Sequence, residues 1–286
     1  MPVVEQDVPI TKVFGEPRAG FSRHTFVGGN FFMQRIMNQH RGDLSIPSSP
    51  SEMEAAAVRT VAHLQTKAAT IAITDLAVRN GRVEADIAVE NLGGHKLPTG
   101  YPSRRVWLHV TVRDRNGRTI FESGAFNPDG SIAGNDNDQD ATRFEPHYIE
   151  IRDPNQVQIY ESVLGDPQGK PTTGLLTALR FIKDNRLLPR GFDKQTADKD
   201  VAVIGEAMSD PDFGDAGDTV RYLVDAGSAQ GPFQVDAELW YQPIAFRWAM
   251  NLKQYDAMEP QRFVRYYETA AASSAVVLVR TTAATN

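Results

Sequence analysis

Two Asn-Gly dipeptides, Asn80-Gly81 and Asn116-Gly117, each stand between segments in which apolar and polar residues alternate. Alternation with period 2 puts one side of an extended chain in a core and the other in water, and Asn-Gly supplies the positive φ angles of a tight hairpin. Thr70 to Val78 leads into the first turn, after which Val83, Ala85, Ile87 and Val89 point one way and Glu84, Asp86 and Glu90 the other. The second pair runs from Arg105 through Val106, Leu108, Val110 and Val112 to the turn and returns over Thr119 to Ser123. Further period-2 stretches lie near 155–161, 219–225, 232–241 and 275–280. Strands in this number with hairpin chemistry predict a mainly β fold, an antiparallel two-sheet β-sandwich.

The N-terminal part reads differently. Residues 1–27 are rich in Pro and Gly with no sustained period, an extended lead-in. From Asn30, the residues Met33, Ile36, Met37 and His40 form one stripe of a short helix that Arg41-Gly42 can end. Ser51 precedes an acidic first turn, and Met53, Ala57, Val61, Leu64 and Ala68 recur at helical spacing, predicting a helix over about 51–68. Peripheral helices are expected at 173–183, 245–252 and 259–271. The division expected is therefore a small α-helical segment over 1–69 and a β-sandwich-like domain over 70–286.

With 286 residues and 41% hydrophobic content the chain can build a sizeable core without crosslinks. A net charge of −6 offers no basic surface for nucleic acid. No apolar run approaches the length of a membrane span, and the first 30 residues lack the order of a signal peptide. The chain has no cysteine, which excludes disulfides, thiolate metal sites, cysteine nucleophiles and any C-x-x-C-H haem attachment within it.

Chemistry must then rest on six histidines and the carboxylates. His40 extends an apolar stripe and reads as a hydrogen-bonded core residue; His63 lies off the stripe of its helix and reads as solvated; His109 reads as a cross-strand partner on the less buried sheet face. His24, shortly before Gly28-Gly29, and His95, after Gly93-Gly94 and before Leu97-Pro98-Thr99-Gly100, sit in glycine-flanked loops that a bulky group can approach. Such an imidazole either bonds its own loop or serves as an axial ligand to haem iron. Asp136, Asp138 and Asp140 alternate in a way that can aim carboxylates at a hard cation such as calcium, although Ala141 and His147 break the EF-hand pattern. Asp210, Asp212, Asp215 and Asp218 form a second acidic group. No G-x-S-x-G, H-E-x-x-H or phosphate-loop signature occurs.

Four segments carry a resemblance: His24–Asn30; Gly94–Gly100 with Arg104–Leu108; Lys183–Phe192; and Ala237–Pro243. Together, over nearly the whole chain, they resemble the C-terminal, β-rich and haem-free region of multihaem c-type cytochromes of the cytochrome c554-like group. In that group the C-x-x-C-H motifs fill the N-terminal half. This chain departs from the pattern in holding none, and Met1-Pro2-Val3-Val4 resembles the stretch that follows a last haem motif, so the resemblance implies a start directly after one. It further implies an electron-transfer role in the periplasm or outside the cell, with a haem-bearing N-terminal half or adjacent cytochrome as partner. His24 and His95 would then be distal ligands to haem c attached elsewhere. Any redox catalysis would sit on those haems, and the chain would not be an enzyme by itself.

Two other readings stay open on the residues alone. One is an independent β-sandwich binding module for a polysaccharide or protein, stabilised by calcium at Asp136, Asp138 and Asp140. The other is a hydrolase built on loop carboxylates. The cytochrome reading carries a structural expectation of its own: Phe26, Phe31, Phe32, Met33 and Met37 should form an apolar patch left exposed for the missing partner.

Overall fold

A computed structural model describes residues 3–22 and 27–285. Two helices, α1 (Phe31–Gln39) and α2 (Pro50–Lys67), precede the strands β1 (Ala69–Arg79), β2 (Arg82–Asn91), β3 (Arg105–Arg113) and β4 (Thr119–Ser123). A single helical turn, α3 (Asp136–Gln139), leads to β5 (Glu150–Ile151), β6 (Ile159–Gly165), β7 (Pro171–Thr172), β8 (Arg180–Asp184), β9 (Gly217–Asp225) and β10 (Gln234–Gln242). Helices α4 (Phe246–Met250) and α5 (Met258–Ala270) come before the last strand, β11 (Val276–Ala284).

The local signals account for most of these boundaries. Asn30 caps α1 by accepting the Met33 N–H at 3.0 Å. Helix α2 is capped by Ser49 rather than Ser51: Ser49 and Glu52 bond each other's backbone N–H reciprocally, with Pro50 just inside the start. Asn80 and Gly81 both take positive φ, 51° and 75°, as a two-residue turn demands. The Asn116-Gly117 turn is wider, its Asp114 carboxylate accepting the N–H groups of Asn116 and Arg118.

The strands form two sheets, a four-stranded one in the order β1-β2-β9-β5 and a seven-stranded one in the order β11-β10-β3-β6-β7, with β4 also on β3 and β8 on β6. All pairings are antiparallel except β5 with β9. The sandwich predicted from periodicity is the fold observed. Val83, Ala85, Ile87 and Val89 from one sheet and Val106, Leu108, Val110 and Val112 from the other are all buried in one apolar core. A smaller cluster on the reverse of the second sheet holds Trp107, Ile132, Val157 and Ile159.

Two expectations are corrected. No helix covers 173–183: Gly174 opens a turn, Thr177 and Ala178 bond back to its carbonyl, and from Arg180 the chain pairs with β6 as strand β8. A sheet edge in need of ladder partners overrides helical propensity there. Nor are the phenylalanines of α1 exposed. Phe31 and Phe32 are both 0% accessible, Phe31 tilted against Tyr241 at 6.4 Å and Phe32 edge-on to Tyr267 at 5.6 Å. Met33 and Met37 are half-buried, and Phe26 lies outside the described residues. His40 is half-buried and stacks on Tyr266 at 3.7 Å, with its Nε2 unbonded among the described residues. Among the described residues no helix is long and apolar enough to cross a membrane.

Candidate functional site

The loop after β2 owes its shape to Asn91. Its Oδ1 accepts the Gly93 N–H at 2.9 Å, while its amide donates to the carbonyls of His95 at 2.7 Å, Leu187 at 3.2 Å and Leu188 at 3.1 Å. Leu97 and Leu187 exchange both backbone bonds at 2.9 Å. The Lys96 ammonium is buried against Asp184 at 2.8 Å, with Arg186 on the same carboxylate. Burial pulls the Lys96 ammonium below its usual range, and Asp184 opposes that shift. Residues 91–97 are thus anchored from three directions, and only His95 of the pair His95-Lys96 is left in solvent.

The His95 ring is oriented by one bond. Its Nδ1 lies 3.0 Å from the Lys96 carbonyl oxygen. A carbonyl can only accept, so Nδ1 carries the proton and Nε2 presents a lone pair. A Cβ on Gly93 would meet Asn91 Oδ1 at 3.2 Å, tighter than ordinary contact, and Cε1 of His95 at an ordinary 3.5 Å.

His95 borders an opening of about 110 Å³, whose lining also includes Gly28, Gly29, His63, Lys67, Arg104 and Tyr241. The Tyr241 hydroxyl donates to the Gly29 carbonyl at 2.9 Å, and a Cβ on Gly29 would come within 2.6 Å of that hydroxyl. Burial pushes the Tyr241 hydroxyl up to about 12, with Arg104 acting in the opposite sense. Arg104 donates to the Thr99 carbonyl at 2.8 Å. Among the described residues no carboxylate lines this opening, although the chain as a whole carries net charge −6. The opening therefore favours an anionic group beside an available imidazole nitrogen.

All four sequence segments singled out above meet here. Gly28 and Gly29 come from the first, His95 and Arg104 from the second, Asp184 and Leu187 from the third, and Tyr241 from the fourth. His24 lies outside the described residues. Sequence reasoning placed His63 in solvent, which is where it stands, but missed that it shares an opening with His95. Arg104 was singled out only as part of a segment, with no role at the site, and Lys67 was not singled out at all.

The aspartates of 136–140 are not brought together. Asp138 is buried and forks onto Arg105 with two bonds of 2.9 Å, Asp136 pairs with Arg143, and Asp140 bonds the Thr142 N–H and hydroxyl, each at 2.8 Å. His109 lies between Glu238, its cross-strand partner, at 3.3 Å and Glu122 at 2.9 Å.

Among the described residues, the one trio of metal-ligand type within 4.8 Å is His147, Asp210 and Asp218, all buried. Its hydrogen bonds argue against imidazole ligation. Gln158 Oε1 accepts the Tyr148 N–H and Asn185 Oδ1 accepts the Glu161 N–H, so both amides turn their NH₂ groups to His147 Nδ1, at 2.9 and 3.1 Å. Nδ1 is therefore an acceptor and Nε2 carries the proton, donating to Asp210 at 3.0 Å. A neutral histidine with no lone pair to offer locks the loop around Asp210 to the sandwich. Asp218 accepts from the Tyr160 hydroxyl at 2.6 Å, and burial raises its carboxyl above the usual range.

No family model matches this chain, and no curated protein matches it. Among solved structures, it is similar to a penta-heme cytochrome c552 from Thermochromatium tepidum, with 16% identity and a TM-score of 0.45 over 78% of this chain. The chain spans 41% of the length of that cytochrome chain, so the likeness is distant and partial.

Proposed function

We propose that this chain is the haem-free, haem-facing part of a multihaem c-type electron-transfer protein. In this reading His95 is a distal axial ligand to a haem held covalently by a neighbouring domain or chain. The observation that carries it is the state of His95: exposed on a braced, glycine-flanked loop, with Nδ1–H bonded to a carbonyl so that Nε2 is the nitrogen left to offer a lone pair. A ligating histidine needs its second ring nitrogen fixed in this way, because that bond sets tautomer, ring plane and basicity.

The surrounding residues suit the same task. Lys67 and Arg104 would meet negative charge at the edge of the opening, and Leu97 with Pro98 supplies an apolar wall. The haem would supply the one-electron chemistry; the chain holds a ligand, excludes water and offers a docking surface. His24, three residues before Val27 in the sequence, is the second ligand candidate. A periplasmic or exported setting and a haem-bearing partner belong to this proposal.

A haem c peptide with one histidine ligand and a vacant sixth position tests it. Titration with the full chain should shift the Soret band to the low-spin, bis-imidazole form, and His95→Ala should abolish the shift while His63→Ala leaves it. An equal response from wild type and His95→Ala would remove His95 from this role.

A further inference from the structure

Arg104 also lines a second and larger concavity, a cleft of about 690 Å³, well within the range of small-molecule sites. Helix α4 gives it Trp248, α5 gives it Phe263, and the loop before β3 gives it Tyr101. Leu175 and Leu176 line it as well, 54% and 103% exposed, on the turn that replaces the expected helix. That turn is braced. The Gly174 carbonyl accepts the N–H groups of Thr177 and Ala178 and the Thr177 hydroxyl, and Asn251 donates to the Thr173 hydroxyl at 3.0 Å, which ties the turn to the chain just after α4. Leucines held in solvent beside Ile244 and Leu252 make an apolar surface that folding alone leaves uncovered.

The polar groups of the lining restrict the occupant. Four side chains are engaged by the chain itself: Asn30 Oδ1 accepts the Met33 N–H at 3.0 Å, Ser103 donates to the Pro243 carbonyl and Thr177 to the Gly174 carbonyl, each at 2.9 Å, and Thr173 accepts from Asn251. Among the described residues, what is left over is the Asn30 NH₂, the Trp248 indole N–H, the Tyr101 and Tyr255 hydroxyls, and the Arg104 guanidinium beyond its bond to Thr99. All of these donate, and of them only the two hydroxyls can also accept. A sugar or a peptide brings several donors of its own and would leave most of them unpaired against such walls. Among the described residues no carboxylate lines the cleft and Arg104 is its one charged side chain, so an anion finds a partner there and a cation does not. The Tyr101 and Trp248 rings meet edge-to-face at 5.3 Å between centroids, a corner and not a slot for a flat ring. With the leucines, that corner suits a flexible aliphatic body. We propose that the cleft binds a single-chain amphiphile, an aliphatic carboxylate of the fatty-acid type, with its chain along Trp248, Leu252 and Leu176 and its carboxylate at Arg104. This site is separate from the role of His95 and does not rest on it.

Dodecanoate brominated at its far end, kept below the concentration at which it forms micelles, is the probe, because bromine quenches a tryptophan it touches. The full chain should bind it saturably at one site with loss of fluorescence, and Trp248→Phe should still bind it in calorimetry with that loss gone. Arg104→Gln and, independently of any mutation, the matching alcohol in place of the acid should each weaken binding about tenfold, the loss expected for one charge-assisted hydrogen bond. Removing two methylenes from the probe should weaken it by about tenfold again. Leu176→Ser, at a position the fold leaves in solvent, should weaken binding with Tm unchanged. His95→Ala should bind normally, so this result stands or falls apart from the haem titration. Equal affinity for acid and alcohol, indifference to chain length, or displacement of the probe by a cello-oligosaccharide would overturn the assignment. Binding of the chain to phosphatidylcholine vesicles that dodecanoate fails to relieve would overturn it as well, making the leucine turn a membrane contact.

Discussion

Asp138→Asn is the sharpest test of how the site-bearing sandwich is held together. Arg105 is 2% exposed, and its guanidinium forks onto Asp138 at 2.9 Å on both sides, with further bonds to Gln242 at 2.8 Å and the Gly130 carbonyl at 3.3 Å. Asp138 also accepts the Ile132 N–H at 2.8 Å. The amide is nearly isosteric, so the change creates no cavity; it leaves a buried guanidinium without its counter-charge, at a cost of about 3–5 kcal/mol. With an unfolding entropy of about 2.1 cal/mol/K per residue, a chain of this length should lose roughly 5–8 °C in Tm. Differential scanning calorimetry in 50 mM and 500 mM NaCl measures it. The loss should be the same at both salt concentrations, since a pair excluded from solvent is little screened. Replacing both partners by apolar residues, Arg105→Met with Asp138→Leu, should recover a large part of the loss, tempered by the orphaned Gln242 Oε1 acceptor and Ile132 N–H donor. A drop below about 2 °C, or one that vanishes in high salt, would refute the account of a dry, interdependent pair.

Two further outcomes follow from the same structure. Gly29→Ala places a methyl within 2.6 Å of the Tyr241 hydroxyl and should cost about 1–3 kcal/mol, seen as a lowered Tm together with faster hydrogen exchange at residues 27–31. For pH, the relevant group is Asp212, whose carboxyl is raised to about 6 by partial burial first and then by the Asp210 carboxylate beside it. Below about 3.8, the ordinary value, both folded and unfolded chains hold this proton; between there and about 6 the folded chain keeps a proton the unfolded chain releases. Its contribution to stability is therefore present at low pH and lost as pH rises through that window. Urea midpoints should show Asp212→Asn gaining on wild type between pH 4.5 and pH 7, and a constant difference would count against the raised value.

The architecture was legible wherever geometry is local. Asn80-Gly81 dictates its turn, and the alternation of Val83, Ala85, Ile87 and Val89 dictates which face is core. The cap of α2 lies two residues before Ser51 because Ser49 and Ser51 carry the same cap chemistry and each has a glutamate three positions on, Glu52 and Glu54; Ser49 and Glu52 form the box, with Pro50 just inside the start. The site was legible in part: glycine flanks marked His95, but Gly29, His95, Leu187 and Tyr241 converge across more than 200 residues with no periodic trace. Arg104 lay in a segment singled out for its resemblance but carried no mark of its place at the opening, and Lys67 had no local mark at all.

Where apolar residues were misassigned, one physical ambiguity was responsible in both directions. The segment 173–183 was expected as a peripheral helix, yet its Leu175, Leu176 and Leu179 stand in solvent, two of them lining a cleft with Trp248. Phe31 and Phe32 suggested a face kept for another molecule, yet they close onto Tyr241 and Tyr267 of their own chain. Apolar spacing reports that side chains avoid water; it does not report whether the surface that covers them belongs to the same molecule. The sheet order decides it. Tyr241 on β10 and Tyr267 on α5 lie where α1 docks, so Phe31 and Phe32 are used up in folding. The turn at 174–178 precedes the edge pairing of β8 with β6, and none of the described residues covers Leu176. The apolar surface left for a ligand or partner is therefore at Leu175 and Leu176, beside Trp248, and not on the first helix.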